Sequence, residues 1–429
     1  MTTATQGWPQ PIAAATRAAI FVAIIIPLLA WAPSLQAAVV TVLDNGTSLQ
    51  EAIDQASEGD VIELPANGRW EGPVVVDRAI TLRGAGGVVD GGGQGIVLTI
   101  AAAGAKVEGV IVENSGTNLT SSSPDACIRL EEEAREAVVR DNELHSCSFG
   151  IWVHKTPGAQ LVDNRIIGPE VGHRSERGNG IQLYNGSNLV VRGNHITGGR
   201  DGIYVSVTGD SLIEANLMER TRYGIHYMYS YDNLVLDNHT HYSVAGIALM
   251  QSRHLEVSGN VAMHNTNQGI LFRDVRYSEI HGNRLERNGE GAFFYSSDKN
   301  KITNNEFSHN LTGVRMWAGG GGNEVSRNSF VGNRRQVLYL GADDINWGVD
   351  GVGNYWADYL GWDQAGDGVG DRPYRVDSFT ANLLHSYPAA ALLMRSPSLE
   401  LLTHLEQRLP MLRVPTVIDH QPLMRREDP

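Results

Sequence analysis

Histidine and methionine side chains are concentrated in one short part of the chain, where together they could bind a soft metal ion. Met228 and Met250 lie 22 residues apart, and His226 precedes Met228 on the same predicted strand. Thioether sulfur and imidazole nitrogen suit copper, especially cuprous copper. A second group of the same residue types follows: His239, His241, Met263 and His264. We predict that these seven residues are copper ligands.

Taken singly, each of these side chains is more often a packing residue than a ligand. Their concentration between residues 226 and 264 is what favours a metal site. The chain has no cysteine-rich or HExxH-type metal motif, which argues against a tetrahedral zinc centre. We therefore expect a loose site that holds copper, as Cu(I), only transiently or shares it with a partner protein.

A sequence repeat must position these ligands. A glycine followed by apolar residues recurs every 22 or 23 residues after one interval of 30, at Gly150, Gly180, Gly202, Gly224, Gly246, Gly269, Gly291 and Gly313. The long interval predicts a loop between Gly168 and Gly178. Each period contains short apolar runs, and the turn residues that separate these runs are too closely spaced to leave room for helices. The repeat predicts an all-β protein, a right-handed parallel β-helix of about a dozen coils over residues 73–345.

An asparagine series has the same period and the same insertion. Its members are Asn142, Asn164, Asn194, Asn216, Asn238, Asn260, Asn283, Asn305 and Asn328. Asparagine tolerates a left-handed backbone, and its amide can hydrogen-bond the same amide one coil away. We expect a structural ladder at one corner of the coils.

Alternation along the strands separates the two faces of the coil. Positions one and three after each repeat glycine are nearly all apolar and should form the core. Positions two and four should face outward, and they carry His226, Met228 and Met250 among aromatic side chains. Such a stripe predicts a partner-binding face, made of Trp152, Tyr184, Tyr204, Tyr295 and Trp317. The alternative is that the segment after residue 346 covers it.

A carbohydrate-binding protein or polysaccharide lyase is the rival interpretation, since aromatic side chains on a β-helix suit sugar stacking. Hydrolysis needs two carboxyl groups close together, and the sixteen outward positions contain neither Asp nor Glu. A lyase would have to combine the outward arginines with acids from nearby segments. The residues concerned are Arg273, Arg315, Glu219, Asp274 and Glu286.

Charge and the amino terminus indicate the compartment. The net charge of -14 repels nucleic acid and anionic lipid. Residues 1–37 have a positive flank, an apolar run and a small-residue cleavage site, which predicts a secretory signal peptide and export. A retained membrane anchor is the less favoured alternative, because the apolar run is short and broken by Pro27. In an oxidising compartment Cys127 and Cys147 are expected to form a disulfide, with a thiolate copper site as the alternative.

Two caps are predicted at the ends of the solenoid. Residues 38–72 contain Ser48-Leu49-Gln50-Glu51, which has the spacing of a capping box and predicts a short helix that plugs the amino-terminal end. Residues 346–429 are not repetitive. Their glycine-rich stretch with Asp363, Asp367 and Asp371 favours a capping turn over a calcium site, because the spacing differs from an EF-hand. Farther on, regularly spaced leucines predict an amphipathic helix that includes Leu401, Leu402 and Leu405.

The long motif GNYWADYLGWDQAGDGVGDRPY, together with the repeats before it and LHSYP after it, resembles the NosD family. The resemblance implies a non-enzymatic periplasmic subunit that works with the NosF ATPase and the NosY permease and contacts the membrane through that permease. It further implies that the subunit receives copper from the NosL chaperone and serves the maturation of nitrous-oxide reductase. In this family the leucine helix would dock on the transporter; its alternative is packing back onto the solenoid.

Overall fold

A computed structural model describes residues 37–43, 46, 48–120, 123–170, 172–317, 321–340, 345–377, 396–408 and 415–426. The chain winds into a parallel β-helix of three long sheets with twelve or thirteen strands each, which confirms the predicted fold class. No helix among these residues is long and apolar enough to cross a membrane. Residues 1–36 of the predicted signal peptide lie outside the described residues.

The three sheets are named A, B and C, and each coil contributes one strand to each in turn. Sheet A contains Val39–Thr41, Val61–Leu64, Thr81–Gly84, Lys106–Glu108, Val138–Arg140, Gln160–Val162, Val190–Arg192, Leu212–Glu214, Leu234–Leu236, Glu256–Ser258, Glu279–His281, Lys301–Thr303 and Glu324–Ser326. Sheet B contains Val74–Val76, Leu98–Ile100, Ala126–Leu130, Phe149–His154, Ile181–Tyr184, Ile203–Ser206, Tyr223–Met228, Ala245–Met250, Gln268–Arg273, Glu290–Tyr295, Thr312–Trp317 and Arg335–Leu340. Sheet C contains Arg69–Glu71, Val88–Asp90, Ile111–Glu113, Glu143–His145, Arg165–Ile167, His195–Thr197, Leu217–Glu219, His239–His241, Val261–Met263, Arg284–Glu286, Glu306–Ser308, Ser329–Val331 and Tyr355–Trp356.

Stacking in register builds the core. In sheet B, Ile225 pairs with Ile203 of the coil before and with Ile247 of the coil after. All sixteen residues predicted to point inward after the repeat glycines are buried. Identical or similar apolar side chains therefore stack in columns, and a pair such as Phe272 and Phe294 stacks face to face with ring centroids 4.2 Å apart.

The predicted asparagine ladder is present at the corner between sheets A and C. The side-chain amide of Asn238 donates to Oδ1 of Asn260 at 3.0 Å and to the carbonyl of Ile213 at 2.8 Å. The expected left-handed backbone lies one residue earlier, at residues such as Asp237 with a φ of 53°. The corner thus divides the two tasks between neighbours: one residue makes the turn, and the next satisfies the buried polar groups.

Two local features interrupt the regular stack. The predicted insertion forms a loop with a 3₁₀ helix over Arg174–Glu176, and Glu170 in it pairs with Arg220 at 2.9 Å. Cys127 and Cys147 form the expected disulfide, with Cα atoms 5.5 Å apart.

A helix over Leu49–Gln55 packs at the amino-terminal end, as predicted. Ser48 precedes it, but its side chain makes no capping hydrogen bond, so the predicted capping box does not form. Gln50 instead pairs with the first strand of sheet B: it accepts from the amide of Val75 at 2.7 Å and donates to the carbonyl of Val75 at 3.1 Å. The side-chain amide of Gln50 thus hydrogen-bonds the backbone groups that the edge strand would otherwise leave unpaired.

The coils begin earlier than predicted. Sheet A begins with Val39 and sheet C with Arg69, before the predicted limit of residue 73.

The carboxy-terminal motif extends the coils beyond the predicted limit of residue 345. Asn354 accepts from the ladder residue Asn328 at 2.9 Å, and Trp356 stacks on Phe330 with ring centroids 4.2 Å apart. The ladder ends on the buried carboxylate of Asp419, which accepts from Asn354 and from Nε1 of Trp356. These residues keep the ladder and core positions after the 22-residue spacing is lost, which is why the repeat alone placed the boundary too early.

The rest of the carboxy-terminal segment contains an exposed glycine loop, an antiparallel pair and a helix. Asp363 accepts from the amides of Gly366 and Gly368, so the loop aspartate is engaged in a turn. The antiparallel strands are Tyr374–Asp377 and Pro415–Asp419. The predicted tail helix spans Pro397–Arg408. In this helix Leu401 is exposed and Leu405 is half-buried, and the side chain of Leu402 is not among those that the structure describes.

Candidate functional site

The seven predicted ligands lie on two different sheets. His226, Met228 and Met250 belong to sheet B, on strands Tyr223–Met228 and Ala245–Met250. The other four belong to sheet C and the turn after it: His239, His241, Met263 and His264. We call the last four the sheet-C cluster.

The sheet-C cluster is an open group of imidazole and thioether side chains. Register places His241 opposite Met263 on adjacent coils. The rings of His239 and His241 have centroids 6.1 Å apart, and Tyr242 stacks on His264 at 5.4 Å. Both His239 and His264 are exposed, whereas His241 and Met263 are half-buried. An ion arriving from solvent could reach these side chains without any rearrangement of the coils.

Electrostatics in this cluster keep His241 in the form that a metal needs. Burial and the neighbouring His239 lower the pKa of His241, against the opposing effect of Glu219, which lies opposite it in the preceding coil. A histidine binds metal only through a deprotonated ring nitrogen. A lowered pKa therefore leaves more of the imidazole ready to bind at neutral pH.

The sheet-B group is more enclosed than its predicted outward position implies. Met228 lies opposite Met250 on adjacent coils, and both side chains are half-buried. His226 is only 5% exposed, so the expectation that this position lies open on the surface is wrong for it. The first residue of the same strand packs against it: the rings of Tyr223 and His226 meet edge-on with centroids 5.0 Å apart.

Asp201 organises the buried histidine. Its carboxylate lies 2.9 Å from Nδ1 of His226 and accepts two hydrogen bonds from Arg222, at 2.8 and 2.5 Å. Burial raises the pKa of Asp201, but the hydrogen bonds from His226 and Arg222 and the charge of Arg222 outweigh it, and the pKa is lowered overall. Asp201 is thus an anion inside the protein, held by a cation and an imidazole.

Sequence identity to two known proteins shows which family the chain belongs to. The chain is 42% identical over 384 residues to the probable ABC transporter binding protein NosD of Pseudomonas aeruginosa, covering 86% of this chain and 89% of that protein. The protein of the same name from Stutzerimonas stutzeri is 38% identical over 378 residues, covering 84% of this chain and 86% of that protein. This chain belongs to the NosD family. The sequence model of that family, described as periplasmic copper-binding protein (NosD), matches residues 162–361.

Solved structures similar to this NosD-family chain share its β-helix at low sequence identity. The A-module of mannuronan C-5 epimerase AlgE6 from Azotobacter vinelandii superposes with a TM-score of 0.60 at 13% identity, covering 72% of this chain and 97% of that module. The catalytic domain of a GH87 alpha-1,3-glucanase superposes with a TM-score of 0.54 at 13% identity, covering 75% of this chain and 69% of that domain. At this identity the likeness shows the fold alone.

The residues considered for a lyase do not converge on one face. Arg273 and Arg315 lie on sheet B, whereas Glu219 and Glu286 lie on sheet C. Arg315 donates instead to Glu290 at 2.9 Å. Of the predicted acids, only Asp274, which directly follows Arg273, lies near the arginines in the chain.

The predicted aromatic stripe of this NosD-family chain is partly accessible. Tyr184, Tyr295 and Trp317 are 40%, 37% and 38% exposed. Trp152 and Tyr204 are half-buried, and Tyr204 lies against the ring of His226. The stripe therefore has an exposed end, at Tyr295 and Trp317, and a more enclosed middle around His226.

Asp201 is the functional candidate that the sequence analysis did not identify. It directly precedes the repeat glycine Gly202, a position that the alternation rule does not assign to either face because the backbone bends there. A comparison of this position across coils would have found two acids, Asp201 and Glu290, of which Asp201 precedes the coil that contains His226. In the described ranges, no three His, Cys, Asp or Glu side chains converge closely enough to hold a metal ion by themselves.

Proposed function

We propose that this NosD-family protein is a periplasmic copper-handling subunit, without catalysis of its own, that works with an ABC transporter to deliver copper for the maturation of nitrous-oxide reductase. The family is described as periplasmic and copper-binding, and two relatives are named ABC transporter binding proteins. In this role the NosF ATPase hydrolyses ATP, the NosY permease supplies the contact with the membrane, and the NosL chaperone supplies copper.

The observation that carries the proposal is the sheet-C cluster. His241 and Met263 pair in register, with His239 and His264 exposed on either side. Imidazole and thioether together suit Cu(I). Exposed ligands on rigid strands favour rapid exchange of the ion with a partner, which is what a delivery protein needs.

Anaerobic titration of the mature protein, residues 38–429, with Cu(I) tests this role. The variant carries His239→Ala, His241→Ala, Met263→Leu and His264→Asn; asparagine is chosen at 264 because the backbone there is left-handed, with a φ of 57°. The control carries His254→Asn, at another left-handed position with a φ of 53°, and His281→Ala, two partly exposed histidines outside the cluster. We expect the variant to lose copper that the control retains. Equal binding by wild type and variant would refute a role for the cluster.

The tail helix over Pro397–Arg408 is proposed to dock on the transporter. Leu401 is 58% exposed and available for such a contact, and Leu402 and Leu405 are the other predicted contact residues. Leu401→Asp should abolish co-purification with the permease and leave copper binding unchanged. His404→Asp, at another exposed position of the helix, is the control. Loss of the complex in both variants, or in neither, would argue against docking through Leu401.

The exposed aromatic end of sheet B is proposed to contact a partner protein, either the chaperone or the reductase. Tyr295 and Trp317 lie edge-to-face with ring centroids 6.4 Å apart. Aromatic residues of this kind are enriched in binding hot spots. The other residues proposed for this face are Trp152, Tyr184 and Tyr204.

A further inference from the structure

The middle of sheet B contains a histidine nitrogen that the protein itself leaves unused. His226 is more than nine-tenths buried, and its Nε2 has no hydrogen-bond partner among the described residues. Tyr204 and Tyr223 enclose the ring with centroids 4.6 and 5.0 Å away. Burying a polar nitrogen without a partner is costly. A ligand on Nε2 would remove that cost.

The other ring nitrogen shows which form of the imidazole is present. Asp201 lies 2.9 Å from Nδ1, and its carboxylate can only accept a hydrogen bond. The guanidinium nitrogen Nη2 of Arg222, a donor, lies farther from Nδ1, at 3.4 Å. The nearer carboxylate therefore decides the assignment: Nδ1 carries the proton, and in the neutral ring the lone pair is on Nε2. Metal-binding histidines usually donate the second ring N–H to a carboxylate in this way, which fixes the ring and makes the free nitrogen more basic.

Two thioethers lie on the same face of the sheet. Met228 is two residues after His226 on the same strand, and Met250 pairs with Met228 in the next coil. Alternate residues of a strand are about 7 Å apart and neighbouring strands about 5 Å apart. Long, flexible methionine side chains can span such distances, and both are half-buried.

From this arrangement we propose that His226, Met228 and Met250 form an enclosed Cu(I) site in which Asp201 is the positioning residue for His226. The inference rests on the proposed copper-handling function and adds to it a second site, separate from the sheet-C cluster. Because its ligands are more buried, it should hold Cu(I) more tightly than the exposed cluster does.

The residues fit a soft cation better than an anion or a purely structural pair. Thioether sulfur offers only lone pairs, so the methionines give an anion nothing to bind. A structural ion pair between Asp201 and Arg222 accounts for the carboxylate but leaves Nε2 of His226 without a partner. The soft donors and the free nitrogen together point to Cu(I).

Competition with bicinchoninate, a chromogenic Cu(I) chelator, under anaerobic conditions tests the site in the mature protein. Wild type should bind two Cu(I) per chain with different affinities. Met228→Leu with Met250→Leu, a substitution that conserves volume, should lose the tighter ion and the sulfur signal from it in X-ray absorption. The four-residue variant of the sheet-C cluster should keep that ion.

Two substitutions test whether Asp201 acts on the site through His226 or through its ion pair with Arg222. Asp201→Asn should weaken the tighter site by about 10–100-fold. Arg222→Gln breaks the ion pair but leaves Asp201 on His226, so it should keep the tighter ion. Asp232→Asn is the matched control, since Asp232 lies 3.2 Å from Nδ1 of His254, also one coil away, but on the exposed surface. Circular dichroism confirms that each variant is folded.

The outcomes distinguish this inference from the proposed function. If the double methionine variant binds Cu(I) as wild type does while the sheet-C variant loses copper, the enclosed site is refuted and the copper-handling function stands. If Arg222→Gln weakens binding as much as Asp201→Asn, the positioning role of Asp201 is refuted. If wild type binds no Cu(I), both proposals fail.

Discussion

The side chain of Tyr227 places a polar atom in the apolar core of a coil. It points inward from sheet B, its hydroxyl has no partner among the described residues, and burial raises its pKa. An unsatisfied buried hydroxyl costs about 1–3 kcal/mol. Tyr227→Phe should therefore raise the midpoint of urea unfolding, by an amount corresponding to about 1 kcal/mol.

Tyr374→Phe is the matched control for this prediction. The hydroxyl of Tyr374 donates to Asp358 at 3.1 Å in the carboxy-terminal cap, so its loss removes a hydrogen bond and should lower the midpoint. A lower midpoint for Tyr227→Phe as well would show that its hydroxyl is satisfied in solution.

Asp201 gives a pH dependence whose sign follows from its lowered pKa. A depressed folded-state pKa contributes stability above the unfolded value, about 3.9, and that contribution is lost as the pH falls through the folded value. The difference in unfolding temperature between wild type and Asp201→Asn should therefore be widest above about pH 4 and narrow in stronger acid. Melting curves across this range measure it. Asp232→Asn, at an exposed position, should show a far smaller difference in unfolding temperature from wild type. A difference between wild type and Asp201→Asn that widened in acid would contradict the prediction.

At the scale of the element, the asparagine ladder satisfies a buried corner along most of the solenoid. Removing Asn238 leaves the amide of Asn216, the carbonyl of Ile213 and Oδ1 of Asn260 short of partners. Each buried group left unpaired costs about 1–3 kcal/mol. Asn238→Ala should thus lower stability by about 3 kcal/mol or more. Equilibrium unfolding in urea is the measurement.

A second ladder of hydrogen-bonded asparagines runs through Asn265, Asn288, Asn310 and Asn333. Asn333→Ala is the corresponding control, because Asn333 ends this second ladder and is only half-buried. Solvent can satisfy its neighbours, so the loss of stability should be clearly smaller than for Asn238→Ala. Equal losses of stability in the two variants would mean that burial of a ladder asparagine does not increase its contribution to stability.

Period and alternation predicted the coils, the core column, the insertion loop and both helices, because each depends on local patterns in the chain. They also predicted that Met228 meets Met250 and that His241 meets Met263, since residues one period apart stack. They did not predict the contact between Asp201 and His226. That contact crosses a corner where the backbone bends at Gly202, and neither strand alternation nor coil spacing describes side-chain directions there.

At the scale of the whole molecule, the two ends of the solenoid solve the same problem with different groups. An open coil exposes unpaired strand edges, which favour aggregation. At the amino-terminal end, the side chain of Gln50 pairs with the backbone of Val75. At the carboxy-terminal end, Trp356 continues the aromatic stack, and Asp419 accepts the last hydrogen bonds of the ladder. In both caps a polar side chain accepts hydrogen bonds from N–H groups that have no neighbouring coil to pair with.

Because each coil contacts only its neighbours, damage to one cap should spread along the solenoid as a gradient. Asp419→Ala leaves the backbone amide of Asn354 and the indole N–H of Trp356 without their acceptor. Hydrogen exchange measured by mass spectrometry should then quicken most in strands Ser329–Val331 and Tyr355–Trp356 and least in the coil closed by the disulfide of Cys127. Asp363→Ala, which removes an acceptor from the exposed glycine loop, should quicken exchange only locally. Uniform acceleration in every coil would show instead that the solenoid opens as one cooperative unit.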